Sequence, residues 1–305
     1  MTGLPVPTMP APPVAVVGLG QLGGSLAAAL AAAGREVSGW DVDPAARDAA
    51  AARGVRIGRE LSGVVVLAVP LPVLGTALDG LDVAPDATVT DVGSVKAPVQ
   101  EVLGGRFGGR YVGGHPMCGT ERSGHAATDP ALFRGARWAL CLEPATELPR
   151  WLRVAEVALA AGAEVVPATV AEHDAAVAAV SHVPHLLAAA LAAAAGAAGP
   201  LALALAAGSF RDGTRVIASD PAFVTAVLEG NAGPAEAALE QVRAQLARPW
   251  PELVAAGHAV RTADPGRRPV RVPLDRAALL ALGRAGGAVT RRLAAFVEGW
   301  VPEGG

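Results

Sequence analysis

Cysteine is scarce: Cys118 and Cys141 are the only two in 305 residues. That is too few for a disulfide framework in a chain of this length, and it fits a reducing compartment, the cytoplasm. Charge is scarce and balanced, with 25 Lys and Arg against 28 Asp and Glu, a net charge of -3 and a pI near 6.1. Nothing in that balance favours a nucleic acid or an anionic membrane surface as partner. No repeat of fixed period occurs. The opening MTGLPVPTMPAPP has no basic n-region and several prolines, so residues 1–13 are expected to form an extended lead-in and not a secretory signal. Charge is also missing from Leu186 to Gly208, over about the length of a membrane span. Alanine drives insertion weakly, however, and Gly196, Gly199 and Pro200 interrupt the run, which reads instead as two buried helices of a helical core.

What is present is hydrophobic: 52% of residues, much of it alanine, so a sizeable core is available and global disorder is excluded. The length suits two domains. The apolar run VAVV (Val14 to Val17) is followed by a glycine-rich turn and an alanine-leucine helix closed by Gly34. EVSGWDVDP (Glu36 to Pro44), VVVLAVP (Val64 to Pro70) and TVTDVGSVK (Thr88 to Lys96) read as three further strands. RYVGGHP and ARWALCLEP read as two more. Strands alternating with helices predict a mostly parallel sheet covered on both faces, a Rossmann-type α/β domain over residues 14–169. After AEVVPAT (Ala163 to Thr169) long helical stretches take over, and residues 170–305 are expected to form an all-α domain. In that reading the basic, proline-containing Thr262 to Pro273 is an exposed link, and a last helix runs from Asp275 to Val301.

Gly18-Leu19-Gly20-Gln21-Leu22-Gly23 is G-x-G-x-x-G directly after a strand and before a helix, the context in which the motif marks a dinucleotide site. The first glycine allows the tight turn, the second a close approach to pyrophosphate, and the third close helix-strand packing. The helix N-terminus offers free N–H groups to the anion. Val69, past the third strand, is placed with this lining. Asp41, 18 residues beyond Gly23, can accept from the ribose hydroxyls and would repel a 2′-phosphate, which favours NAD over NADP. Asp43, before Pro44, suits a helix cap, and Arg47 lies further along that helix.

Ser94 follows the fourth strand and His115 the fifth, and strand ends on this side of such a sheet face the crevice. A histidine there can take a proton from a hydroxyl as hydride leaves the same carbon, and a serine can bond the same hydroxyl. HPMCGTERSGH (His115 to His125) is otherwise a polar loop in which Cys118 and His125 carry no assigned chemistry. In the helical half, His173, His182 and His185 gather within 13 residues, with His182 and His185 on one helix face. No third ligand at metal spacing accompanies them, so no metal is expected; core polar groups and a substrate pocket are the readings left open. Asp212 and Arg215 are three apart, and on spacing alone form an ordinary surface pair, although arginine also suits bidentate capture of a carboxylate.

Together GLGQLGGSLA, DVGSVK, HPMCGTERSG, HD with SHVPH, and FRDGTRVIASDP resemble one family, the prephenate and arogenate dehydrogenases of tyrosine biosynthesis. The motifs span roughly residues 14 to 235. The resemblance implies that His115 deprotonates the ring hydroxyl of the substrate, assisted by Ser94. It implies that Arg215 holds the ring carboxylate, oriented by Asp212. His185 would place the side-chain end of the substrate, Glu121 would lie at the pocket mouth, and His182 would line the pocket or be structural. It further implies NAD as cofactor and a homodimer through the helical domain; with helix read to the end of the chain, no added regulatory or mutase domain is expected. The implied reaction is oxidative decarboxylation of prephenate, with L-arogenate as the alternative substrate. Imine or β-hydroxyacid reductases, which use a lysine on the helical domain, fit less well, since residues 170–305 contain none. A non-catalytic nucleotide sensor would need neither His115 nor Arg215.

Overall fold

The computed structural model describes residues 12–119 and 124–303. The first half is built as its strands dictate: β1 (Val14–Val17), α1 (Gln21–Ala32), β2 (Val37–Trp40), α2 (Pro44–Ala51) and β3 (Arg56–Ile57) follow one another, then β4 (Glu60–Leu61), β5 (Val64–Leu67), β6 (Asp82–Val83), β7 (Thr88–Asp91) and β8 (Tyr111–Val112). Six of these form a parallel sheet in the order β3-β2-β1-β5-β7-β8, while β4 and β6 pair separately. Both faces of the sheet are covered, so its central strands β1 and β5 are apolar throughout and the two-residue period sorts them into two cores. Val14, Val16, Val64 and Val66 pack with Leu26 and Leu30 of α1; Ala15, Val17, Val65 and Leu67 pack with Leu74, Leu103 and Tyr111 on the other side.

A second six-stranded sheet adjoins the first. RYVGGHP is two strands and not one: after β8 the chain crosses at Gly113 and enters β9 (Gly114–Pro116). There it pairs antiparallel with β10 (Arg137–Cys141), which runs parallel to β11 (Glu164–Ala168). The crossing needs glycine, because a Cβ on Gly114 would lie 2.5 Å from the Asp91 carbonyl oxygen. The helix Leu148–Ala160 buries Trp151, Leu152, Val154 and Val157 between the two sheets.

From Val170 to Thr262 the chain is helical, as expected. The expectation for the end of the chain is corrected. Residues 268–301 are a strand, a helix and two strands: β12 (Arg268–Pro273), a helix Arg276–Arg284, β13 (Ala288–Arg292) and β14 (Phe296–Val301). They complete the second sheet in the order β12-β14-β13-β11-β10-β9, so the expected link Thr262 to Pro273 includes a paired strand and the expected helix Asp275 to Val301 stops at Arg284. Gly286, at φ +73°, ends the helix in a conformation that L side chains rarely adopt. A Cβ on Gly287 would lie 2.4 Å from the Trp300 carbonyl oxygen. The segment is fastened to the nucleotide half, with Arg276 donating to the carbonyls of Glu143 and Thr146 and Arg292 paired with Glu156, and to the first helix of the helical half through Arg284 and Glu172.

The apolar run Leu186 to Gly208 is also less buried than expected. It divides at Gly199 (φ +97°) into the helices Val183–Ala197 and Pro200–Ala204. Of the first only Val183 and Ala188 are buried, and of the second none. The continuous helical stretch Val170–Ala197 is long and apolar enough to cross a membrane by length and composition, yet its first half buries His173, Asp174 and His182.

Candidate active site at the domain junction

The glycine turn has the expected division of labour. Gly18 sits at φ +90°, and a Cβ there would lie 2.3 Å from the Ala68 carbonyl oxygen and 2.9 Å from Val69 Cγ1. On Gly23 a Cβ would lie 1.9 Å from the Gly18 carbonyl oxygen, whereas beside Gly20 nothing stands within 4 Å. The turn is therefore closed on its strand side and open at Gly20, where α1 begins without an acidic residue in its first turn. Gln21 and Leu22 are half-buried at that helix start. Leu19 has a different part: its side chain is 1% exposed in the core and its backbone N–H donates to Asp41 Oδ2 at 2.6 Å. Asp41 Oδ1 accepts from the Asp43 amide at 2.8 Å, so the carboxylate is fixed at the end of β2 beside the turn. Asp43 caps α2 through the Ala45 amide, and His125 lies 3.5 Å from Asp43 Oδ2. Arg47 reaches closer than its position along α2 suggests: it donates to the Asp41 carbonyl at 2.7 Å and, with Arg59, flanks the Trp40 ring.

Beyond β7, a buried polar cluster joins the two halves. Lys96, the sole lysine of the chain, is fully buried with its ammonium on Asp91 Oδ2 and on the Gly114 carbonyl at 2.8 Å. Asp91 Oδ1 accepts from the Tyr111 hydroxyl at 2.7 Å and from the Gly114 amide at 3.1 Å. Each charge in this pair thus has a partner and further hydrogen bonds, as an ion pair removed from water requires. The cluster clamps the backbone immediately before His115.

His115 follows β8, the last strand of the first sheet, and itself lies in β9, opposite Ala139 of β10. Its Nδ1 is 2.9 Å from His173 Nε2, and His173 Nδ1 is 2.7 Å from Asp174 Oδ1. Asp174 also accepts from the backbone amides of Lys96 (2.9 Å) and Ala97 (2.8 Å). Burial opposes its charge, but the bonds from His173, Lys96 and Ala97 outweigh that, and its pKa lies below the ordinary aspartate value. Burial, followed by the neighbouring His173 and Lys96, holds the His115 imidazole well below the ordinary histidine value, so it is neutral at pH 7. Ser94 is half-buried in the loop that carries Lys96, and its hydroxyl has no partner among the described residues.

Of the remaining candidates, only His182 joins this chain of contacts, through Asn231. His182 is buried, with Nδ1 3.1 Å from Asn231 Nδ2, and Asn231 also donates to the Asp174 carbonyl. It therefore braces the junction, and burial lowers its pKa. His185 Nδ1 bonds the Ser181 carbonyl at 2.8 Å. Asp212 and Arg215 are exposed, on the helix Gly208–Thr214 and the turn Arg215–Ala218 that pack against Val183–Ala197. Glu121 lies outside the described residues. Burial raises the Cys118 thiol to about 11, which suits a packing residue and not a nucleophile. No cluster of three metal-ligating side chains occurs among the described residues.

Spacing alone had left Lys96, Asp91, Tyr111, Asp174 and Asn231 unassigned and His173 uncertain. Lys96 and Asp174 are 78 residues apart. Only the charged residues inside otherwise apolar segments, Asp91 at a strand end and HD at a helix start, hinted at them.

A nucleotide-type glycine turn, a parallel sheet, and a half-buried histidine where a helical domain meets the nucleotide half define the class: a two-domain protein of dehydrogenase architecture. The chain belongs to the prephenate dehydrogenase family. The family model for the nucleotide-binding domain of prephenate dehydrogenase matches residues 26–167, and that for the dimerization domain matches 169–256. A prephenate dehydrogenase of Bacillus subtilis is 32% identical over 238 residues, covering 72% of this chain and 64% of the relative; the chain thus spans just under two thirds of that protein's length. A solved candidate prephenate dehydrogenase from Corynebacterium glutamicum is 36% identical with a TM-score of 0.76, covering 83% of this chain and 88% of the other. The Aquifex aeolicus prephenate dehydrogenase, solved with hydroxyphenyl propionate and NAD+, is 28% identical with a TM-score of 0.72, covering 83% and 94%.

Proposed function

We propose that the protein oxidatively decarboxylates prephenate to 4-hydroxyphenylpyruvate with NAD+. The observation that carries this reading is His115: a neutral, half-buried imidazole bonded to His173 at the junction between a nucleotide-type domain and a helical one. Membership of the family and the NAD+ complex of the Aquifex relative support it.

The residues present fit a dinucleotide. The open side of Gly20 admits pyrophosphate at the start of α1, Asp41 stands beside the turn for the adenosine ribose, and Val69 borders Gly18. When bound, the nicotinamide supplies the hydride acceptor for the carbinol carbon of the substrate.

His115 takes the proton of the ring hydroxyl as that carbon is oxidised, and Ser94 donates to the same oxygen. The carbonyl so formed is conjugated with the ring. The bond from the ring to its carboxylate then breaks, carbon dioxide leaves, and the electron pair moves through the ring onto the oxygen. That oxygen takes the proton back from His115 as a phenol. Arg215 holds the ring carboxylate, oriented by Asp212, and His185 places the side-chain end of the substrate.

A homodimer through the helices belongs to this reading. Leu187, Leu191, Leu201, Leu203 and Leu205 are exposed on the single chain, large apolar side chains that a second copy would cover. The unpaired thiols Cys118 and Cys141 support a cytoplasmic setting, and no membrane or nucleic acid enters the reading. Steady-state assays with prephenate and L-arogenate, each with NAD+ and NADP+, test it. Turnover of prephenate with NAD+ is expected; a preference for L-arogenate would reassign the substrate, and no turnover of either would overturn the activity.

A further inference from the structure

We propose that His173 and Asp174 are positioning residues that fix the tautomer of His115, leaving its Nε2 as the bare lone pair that meets the substrate. The inference rests on the activity proposed above, and its argument is one of donor and acceptor accounting.

Asp174 sits where two backbone amides, those of Lys96 and Ala97, point at its oxygens. An amide can only donate, so the carboxylate accepts at both oxygens and is satisfied as an anion. The third contact, 2.7 Å from Oδ1 to His173 Nδ1, must then carry a proton on the histidine nitrogen. A neutral imidazole has one N–H, so His173 Nε2 is an acceptor. Its neighbour at 2.9 Å is His115 Nδ1, which must therefore be the donor. His115 in turn has spent its only proton on Nδ1, and its Nε2 is unprotonated. Neither imidazole can turn to exchange these roles cheaply, because His173 is 3% exposed and the strand carrying His115 is clamped by Lys96 at Gly114.

The alternative arrangement is definite. If His173 were an imidazolium, its Nε2 would donate to His115 Nδ1, His115 would carry its proton on Nε2, and it could not act as a base. The chain of bonds therefore decides between a base and a blocked one. It also ties that choice to docking of the helical domain, since His173 and Asp174 belong to the helix Val170–Val177 whereas Lys96 and Ala97 belong to the nucleotide half.

Long-range proton–nitrogen correlation spectra of the full chain, labelled with 15N-histidine, read the tautomer directly, with His115→Asn identifying the signal. Wild type at neutral pH is expected to show the Nδ1–H form of His115. His173→Gln, whose side-chain oxygen can accept near the position of Nε2, should keep that form and most of kcat. His173→Leu should shift it toward Nε2–H and lower kcat about 10- to 100-fold, the usual loss when the group orienting a reactive side chain is removed, with KM little changed. An Nε2–H form in wild type would overturn the proposal, as would an unchanged tautomer and kcat in folded His173→Leu. Because the wild-type spectrum needs no turnover, a protein inactive on prephenate but showing Nδ1–H would refute the activity alone.

Discussion

Two surfaces of the helical domain contrast sharply. The face toward the nucleotide half is polar, buried and fully partnered, with Asp174, His173, His182 and Asn231 bonded to one another or to Lys96, Ala97 and His115. Elsewhere the domain exposes apolar side chains, Leu201 and Leu205 at 73% each and Val254 and Val260 at 68% and 82%. In a low-dielectric junction every polar group needs a stated partner and position. An apolar face needs only to be covered, and many arrangements cover it. The first kind of surface sets geometry for chemistry; the second sets association.

The sharpest way to break this contrast is His115→Asn. Loss of a general base costs about 10²- to 10⁴-fold in kcat, read as NADH formation with prephenate; near-normal turnover would remove His115 from the chemistry. Next is Lys96→Met, which leaves Asp91 buried without its counter-charge. Breaking such a pair costs about 3–5 kcal/mol, visible as a lower denaturant midpoint, and a midpoint equal to wild type would show the pair to be dispensable.

Elsewhere in the helical domain the expected effects are smaller. Arg215→Ala should raise the substrate KM about 10- to 100-fold, the value of about 1.5–3 kcal/mol for a hydrogen bond to a charged group, with NAD+ affinity unchanged. A change in NAD+ affinity instead would place Arg215 elsewhere. Leu205→Asp should shift the protein toward monomer by light scattering at micromolar concentration while leaving the junction folded; an unaltered dimer would move the interface off this face. The smallest expected effect is on pH. The base must be neutral to act, and burial lowers the folded pKa of His115 below 6.5, so activity is present above that lowered value and lost as pH falls through it. The acid limb of kcat/KM should therefore lie below pH 6.5; a limb at or above that value would show that His115 is not shielded as described.

Much of the nucleotide half could be read directly from the chain. VAVV followed by G-x-G-x-x-G, Asp41 after the next strand and the cap at Asp43 are local signals, each spanning fewer than 30 residues, and each lies where expected. The end of the chain was misread because DRAALLALGR is a true helix start and the apolar character continues past it. The stop was nonetheless written as Gly286-Gly287, and the residues after it, AVTRR and FVEGWV, carry the β-branched and aromatic content of strands.

By itself, the order of residues determined the parallel sheet, the nucleotide turn and the onset of helix at Val170, because periodicity, glycine freedom and capping act over a few residues at a time. Only the tertiary structure decided that Lys96 neutralises Asp91, that residues 268–301 join β11 through β13, and that His173 and Asp174 stand behind His115. Those contacts join distant positions, 58 residues apart for His115 and His173, or charges whose partners are chosen by burial, and no local pattern encodes which buried donor will meet which acceptor.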